Sequence, residues 1–313
     1  MSILITGGTG FLGSQLAKRL VKEGYNVVLL DVAPDFESVR DIVNKVKIVR
    51  GDFTIWAEIS DVIKKYRVTD IFHLGAILTV TAESHPFLAL RVNVYGTANV
   101  LEAARLFDVQ KVIYTSSIST YGPGLPQLVN EETRQEPRTA YGITKLFGEL
   151  WGLYYYHKYG IDFRVIRFPS LVGGNRLRTL ERASAFATLM ILEPALGRPC
   201  EVYVDEYTKI QILYYKDAIN ALMLLYNAKN PKSRVYNAGG ILTDAQEIAN
   251  TVRKYIPDAQ IKFTPKFETR AMLSHRVLVS RKVQDELGWK MAYTLDDMVK
   301  DFISEVRNGL WGT

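Results

Sequence analysis

Tyr141 and Lys145 stand four residues apart in the run Thr139-Ala140-Tyr141-Gly142-Ile143-Thr144-Lys145, which reads as helical, so both side chains leave one helix face. A phenol titrates near pH ~10, too high for a base at neutral pH, and an adjacent ammonium lowers that value by stabilising phenolate. Each unit of lowering is worth ~1.4 kcal/mol. The pair is therefore either a proton-transfer device or two ordinary residues of a solvated helix face. A third chemical group lies at the end of Lys111-Val112-Ile113-Tyr114-Thr115, where Ser116 and Ser117 bring hydroxyls to the C-terminal edge of an expected strand. Open α/β sheets bind ligands at that edge.

The element needed to complete redox chemistry is at the N-terminus. Ser2-Ile3-Leu4-Ile5-Thr6 is a short apolar, β-branched run, followed by Gly7-Gly8-Thr9-Gly10-Phe11-Leu12-Gly13 and a helix through Leu16, Leu20 and Val21. Glycines without Cβ atoms let the backbone approach a pyrophosphate, whose charge meets the amides and dipole of the helix. Asn26-Val27-Val28-Leu29-Leu30-Asp31 reads as the second strand and ends in a carboxylate about 20 residues beyond the loop, as a dinucleotide fingerprint requires. Asp31 is expected on the adenine ribose hydroxyls. It would repel a 2′-phosphate, and Val32, Ala33 and Pro34 supply no arginine to hold one, so NAD is expected over NADP.

Further strands are expected at Val46–Val49, Asp70–Leu74, Lys111–Thr115, Phe163–Arg167 and Arg234–Asn237. Helices lie between them, two of them long and apolar, from Pro86 to Phe107 and from Tyr141 to Tyr159. This alternation predicts an α/β protein with a Rossmann-type, doubly wound parallel sheet. The pattern breaks after Arg167, where a loop with Arg176, Arg178 and Arg182 leads to a helix around Ser184–Leu192. Asp217 opens another helix, and Thr243 is read as the N-cap of a helix in a smaller C-terminal α/β unit. Residues 1–170 with about 214–240 are expected to form the cofactor domain, and 171–213 with 241–313 a substrate-binding domain. The aromatic cluster Trp151, Tyr154, Tyr155 and Tyr156 fits either core packing or a helix–helix contact between two copies.

Composition narrows the class. The chain has 313 residues, 48% of them hydrophobic, which excludes a disordered or fibrous protein. Its net charge of +6 comes without Lys/Arg runs, so no nucleic-acid surface is expected. Cys200 is the only cysteine, and His73, His85, His157 and His275 lack metal-ligand spacing, so neither a disulfide nor a structural metal is expected. Met1 leads directly into the first strand and no apolar run approaches the length of a membrane span. A cytoplasmic, membrane-free protein is expected.

Taken together, Gly7–Gly13, Asp31, Gly51-Asp52, His73-Leu74-Gly75-Ala76, Asn93-Val94-Tyr95-Gly96-Thr97, Thr115–Gly122, Tyr141–Lys145 and Leu287-Gly288-Trp289 resemble the extended short-chain dehydrogenase/reductases, the NAD-dependent epimerase/dehydratase superfamily. The resemblance implies a Ser117-Tyr141-Lys145 catalytic set, with Lys145 lowering the phenol pKa and holding the nicotinamide ribose. It implies a cofactor set of Gly7, Gly10, Phe11, Leu12, Gly13, Asp31, Asp52, Phe53, Leu74, Gly75, Ala76, Asn93, Thr115, Tyr141, Lys145 and Pro169. Within that set Asp52 and Phe53 border the adenine, and Asn93 supports the active site. Thr79, Ser117, Ser170, Arg176, Arg178 and Ser184 fall on the substrate side. Such enzymes are commonly homodimers on a four-helix bundle, which implies an interface on the two long helices.

Departures narrow the substrate. Nucleotide-sugar epimerases of the superfamily carry Arg-Tyr-Phe-Asn where this chain has Arg167-Phe168-Pro169-Ser170, and an arginine where it has Ile210. The lost charge-assisted bonds are worth ~1.5–3 kcal/mol each. Ile77-Leu78-Thr79, the 154–160 stretch and Leu213–Ala218 resemble short-chain L-threonine 3-dehydrogenases. Ala183-Ser184-Ala185-Phe186 with Glu193-Pro194 is closer to dehydrogenases of four-carbon sugar acids. The expected activity is NAD-dependent oxidation of a secondary alcohol on a small polar substrate such as a hydroxy acid, sugar acid or threonine-like compound. The alternatives are an NDP-sugar 4-epimerase with tightly bound NAD, and a non-catalytic NAD sensor.

Overall fold

The computed structural model describes residues 1–174, 185–266 and 276–311; Arg176, Arg178, Arg182 and Ser184 lie outside the described residues. Short apolar runs become buried strands because alternate side chains can enter two different cores. In β1 (Ser2–Thr6), Ile3 and Ile5 pack on one face and Leu4 on the other; in β2 (Asn26–Asp31), Val27 and Leu29 oppose Val28 and Leu30. Each such fully buried aliphatic side chain contributes roughly 1.5–3 kcal/mol. With β3 (Val46–Arg50), β4 (Asp70–His73), β5 (Lys111–Ser117), β7 (Asp162–Phe168) and β11 (Val235–Asn237) they form a sheet ordered β11-β7-β5-β4-β1-β2-β3, every pair parallel. The order reverses between β1 and β4, which opens a crevice at their C-terminal ends.

Helices cover both faces. Leu16 and Leu20 of α1 (Phe11–Lys22) join Ala218 and Leu222 of α8 (Tyr215–Asn227) on one side. On the other, Ile59 and Ile63 of α2 (Trp56–Tyr66) pack with Val100 and Leu101 of α5 (Thr97–Leu106) and Tyr155 of α6 (Ala140–Tyr159). The expected helix from Pro86 to Phe107 is not one regular helix. Residues Thr79–Ser84 form α3 and Pro86–Ala89 form α4, with Pro86 at its first turn; Leu90–Gly96 wind as a π-helix before α5. That wider turn occurs beside the cleft, where Leu88, Arg91 and Val92 line the opening.

The remaining strands are short. β8 (Ser170–Val172), β10 (Lys209–Tyr214) and β12 (Ile241–Asp244) form a three-stranded sheet; β6 (Leu128–Val129) pairs with β14 (Val277–Leu278), and β9 (Cys200–Val202) with β13 (Ile261–Phe263). The helix expected around Ser184–Leu192 is α7 (Phe186–Ala195), apolar but for Thr188 in its first two turns and buried from Phe186 to Pro194. Thr243 is not the cap of α9 (Ala245–Tyr255): it lies in β12, and the Asp244 carboxylate accepts the Glu247 amide at 2.9 Å. Asp217 sits in the first turn of α8, but its carboxylate accepts amides of Ala292 and Tyr293 instead. This fastens the segment between α10 (Arg281–Leu287) and α11 (Leu295–Arg307) to the core.

Candidate active site

A cleft of about 1090 Å³ crosses the C-terminal ends of β1, β4 and β5. At one end the phosphate loop turns tightly: Gly7 has φ +64, and a Cβ there would lie 2.9 Å from Gly75 Cα. A Cβ on Gly13 would come 2.2 Å from Gly7 O, so α1 can begin this close to β1 only with glycine. Asp31 is already oriented, its carboxylate accepting Thr9 N at 3.2 Å, Thr9 Oγ1 at 2.8 Å and Ala33 N at 3.3 Å. Asp52 and Phe53 border the same end, and Leu74, Gly75 and Ala76 continue the floor. An anion-receiving helix terminus, close backbone and a prepared carboxylate fit an adenine dinucleotide bearing free ribose hydroxyls.

The other end carries the hydroxyls. α6 starts with Thr139, whose side chain accepts the Gly142 amide at 3.0 Å. A Cβ at Gly142 would stand 2.1 Å from Ser119 O, so glycine brings the first turn of α6 against the 3₁₀ turn that Ser117 caps. Tyr141 packs against Ala82 and Ala89, and Lys145 projects one turn later. The Lys145 ammonium donates to Thr115 O at 2.8 Å and lies 4.8 Å from the Tyr114 ring centroid and 5.9 Å from that of Tyr141. Burial pushes Lys145 down to about 7, against the opposing charge of Glu149. His73 is neutral: burial, then the Lys145 charge, take it to about 3, while its ring bridges Thr6 and Thr97 at 2.7 and 2.9 Å.

Strand alternation separates the two serines. Ser117 faces the cleft and accepts the Ser119 amide at 3.1 Å, whereas Ser116 donates to Glu149. Glu149, one further helical turn from Lys145, is buried in a bidentate pair with Arg167, at 2.9 Å to Nε and 2.6 Å to Nη2. Arg167 also donates to Tyr121 Oη at 2.6 Å and Gln135 Oε1 at 3.0 Å. With every partner hydrogen-bonded, the pair locks α6 to β5 and β7 beneath the reacting face.

The expected positions Gly7, Gly10, Phe11, Leu12, Gly13, Asp31, Asp52, Phe53, Leu74, Gly75, Ala76, Thr79, Thr115, Ser117, Tyr141, Lys145, Pro169 and Ser170 all line this one cleft. Asn93 does not. Its amide meets Ile77 N at 2.8 Å, Ile77 O at 2.9 Å and Thr144 Oγ1 at 3.0 Å, so it braces the cleft wall from behind. The lining includes residues that sequence reasoning missed, among them Thr9, Arg91, Leu310 and Trp311. Thr9 stood inside the glycine motif and had a readable hydroxyl; the C-terminal pair had no local signal. Among the described residues no His, Cys, Asp and Glu cluster is placed to hold a metal, and no helix is long and apolar enough to cross a membrane.

Comparison with known proteins agrees with this geometry. Over 311 aligned residues the chain is 27% identical to mitochondrial L-threonine 3-dehydrogenase of Bos taurus, covering 96% of this chain and 82% of that one. The holo form of an L-threonine dehydrogenase from Cupriavidus necator superposes with a TM-score of 0.90 at 28% identity, over 98% of this chain and 100% of the other. UDP-glucose 4-epimerase of Thermotoga maritima shares the fold, with a TM-score of 0.88 at 22% identity over 99% and 100%. Residues 3–239, from β1 through the end of the large sheet, match the NAD dependent epimerase/dehydratase family. With the glycine loop, Asp31 and the Tyr141–Lys145 helix inside that span, the chain belongs to this family of NAD-dependent enzymes, the extended short-chain dehydrogenase/reductases.

Proposed function

We propose that the protein oxidises a secondary alcohol on a small polar substrate, a hydroxy acid, a sugar acid or a threonine-like compound, with Ser117, Tyr141 and Lys145 as its working groups. One observation carries this reading. The cleft that holds Tyr141, Lys145 and Ser117 is also lined by Ser170, Leu171 and Ile210, a wall with no cation at position 210. Such a wall suits a short substrate better than a nucleotide diphosphate, which needs cationic or amide partners.

NAD, when bound, supplies the two-electron acceptor. Tyr141 Oη, held as phenolate by the Lys145 ammonium, takes the substrate hydroxyl proton and becomes the neutral phenol, while Ser117 Oγ donates to the substrate oxygen. Gly7, Gly10, Phe11, Leu12 and Gly13 receive the diphosphate, and Asp31 the adenine ribose. In this reading residues 1–170 with 214–240 hold the cofactor, while 171–213 with 241–313 shape the substrate side. The enzyme works as a homodimer through the exposed apolar faces of α6 and the 86–106 segment.

The test is to incubate the purified protein with NAD and a panel of hydroxy acids, sugar acids, L-threonine and UDP-sugars. NADH absorbance is followed alongside chromatography of the products. NADH accumulating in proportion to one of the small substrates is the expected result. Interconversion of UDP-glucose and UDP-galactose with no net NADH would replace the proposal with the redox-neutral epimerase, and NAD binding without any turnover would favour a sensor.

A further inference from the structure

After α11 the chain turns through Asn308–Trp311 and returns to the cofactor cleft, where Gly309, Leu310 and Trp311 line the opening next to the phosphate loop. Trp311 is buried and held on every side. Its ring centroid lies 5.9 Å from Phe11, 5.4 Å from Tyr215 and 6.3 Å from Phe302, each edge to face. Its indole N–H donates to Glu305 at 2.8 Å, and the same carboxylate accepts Tyr215 Oη at 2.7 Å and lies 2.7 Å from Lys216 Nζ.

Phe11 is the residue being held. It is the first residue of α1, so its backbone amide belongs to the positive helix end that faces a diphosphate. Its ring meets Tyr215 at 5.8 Å as well as Trp311, and a Cβ on Gly174 would come 2.1 Å from it, so a third wall is backbone. Arg40, which also lines the cleft, donates to Gly309 O at 3.5 Å and ties the turn to the loop that follows β2.

We propose that the Asn308–Trp311 turn is a working part of the NAD site: Trp311 clamps Phe11, and with it the amide terminus of α1, while Leu310 walls the opening beside the phosphate loop. Cofactor retention is then set by a segment at the far end of the chain from the glycine motif. Without the two edge-to-face contacts that Trp311 makes with Phe11 and Tyr215, the terminus of α1 is less well placed for the diphosphate, and NAD affinity is expected to fall about tenfold.

The experiment is calorimetric titration of the full-length chain with NAD, which requires no knowledge of the substrate. Trp311→Ala is expected to raise the NAD Kd about tenfold, while Trp311→Phe, which keeps a ring against Phe11, stays within about threefold of the parent. Leu310 is 46% exposed, so Leu310→Ala leaves the fold intact and is expected to weaken NAD by about threefold. Hydrogen exchange adds a readout that a purely structural Trp311 would not move: NAD should slow the amides of residues 305–311. Trp311→Ala that folds, binds NAD with the parent Kd and shows no cofactor-dependent exchange in that segment overturns the proposal. If Trp311→Ala does not fold, an unchanged Kd in Leu310→Ala together with unprotected 305–311 amides does the same.

Discussion

Tyr141 meets the cleft through one oxygen, its ring being occupied by Ala82 and Ala89. Tyr141→Phe keeps that packing and removes the hydroxyl proposed to exchange the proton. Turnover is expected to fall roughly 10²–10⁴-fold with the NAD Kd within about twofold of the parent; full activity in the variant would take the pair out of the chemistry. Lys145 leaves a signature in stability. With its pKa lowered to about 7 from 10.5, it is charged in both folded and unfolded chains below pH 7, and the full cost of burying the charge is present there. From pH 7 to 10.5 the unfolded chain binds the extra proton, so the contribution of this residue rises with pH across that interval. Urea unfolding of the NAD-free protein at a series of pH values should show this rise, and Lys145→Met should flatten it. The candidate site residues were the most legible in the sequence because their partners are close along the chain: Tyr141 with Lys145, and the glycine loop with Asp31. The support beneath them was not legible. Glu149 meets Ser116 and Arg167 from separate elements, and nothing in a single stretch announces that contact.

At the scale of elements, α6 does most of the positioning. Its buried residues, Tyr141, Gly142, Thr144, Lys145, Gly148, Glu149, Gly152 and Tyr155, follow one helix face, and that face includes glycines where the sheet comes closest. A Cβ on Gly152 would lie 2.0 Å from Cζ of Phe163 in β7. Gly152→Ala is therefore expected to cost about 1–3 kcal/mol in denaturant unfolding, and Phe163→Leu in the same chain to recover part of that by opening space. The strands of the large sheet and α6 were readable because they carry alternation or several turns of pattern, whereas β10, six residues long, was not among the expected strands. The Pro86–Phe107 segment reads as one helix because its π turn, Leu90–Gly96, is flanked by α-helical turns on both sides and has no sequence signal of its own. β6 and β14 were invisible for a different reason: two residues hold no period, and each strand exists only because of its partner far along the chain. The displaced cap of α9 was a choice between adjacent oxygens, Thr243 and Asp244, and the Thr243 hydroxyl is taken by the Glu247 side chain at 2.7 Å.

At the scale of the whole molecule, α6 and the 86–96 segment packed against it leave several large apolar side chains exposed. Phe87, Tyr95, Ile143, Leu150, Trp151 and Tyr154 are all exposed, the last two stacked at 5.3 Å, while the neighbouring Tyr155 is buried and donates to Glu102 at 2.8 Å. The aromatic cluster thus divides into a core residue and a surface stripe. If two copies pair through that stripe, Leu150→Glu should give a monomer in sedimentation with an unchanged circular dichroism spectrum; a monomeric parent protein would refute the pairing. The bond from Asp31 to Thr9 has a different reach, because it couples the end of β2 to the interior of the phosphate loop. Redesigning this enzyme for a 2′-phosphorylated cofactor is thereby a two-site problem. Exchanging Asp31 for a neutral residue removes the repulsion and, in the same stroke, unties Thr9 and slackens the loop that every dinucleotide must use. A cofactor switch built here has to return an acceptor to Thr9 before any added arginine can improve affinity.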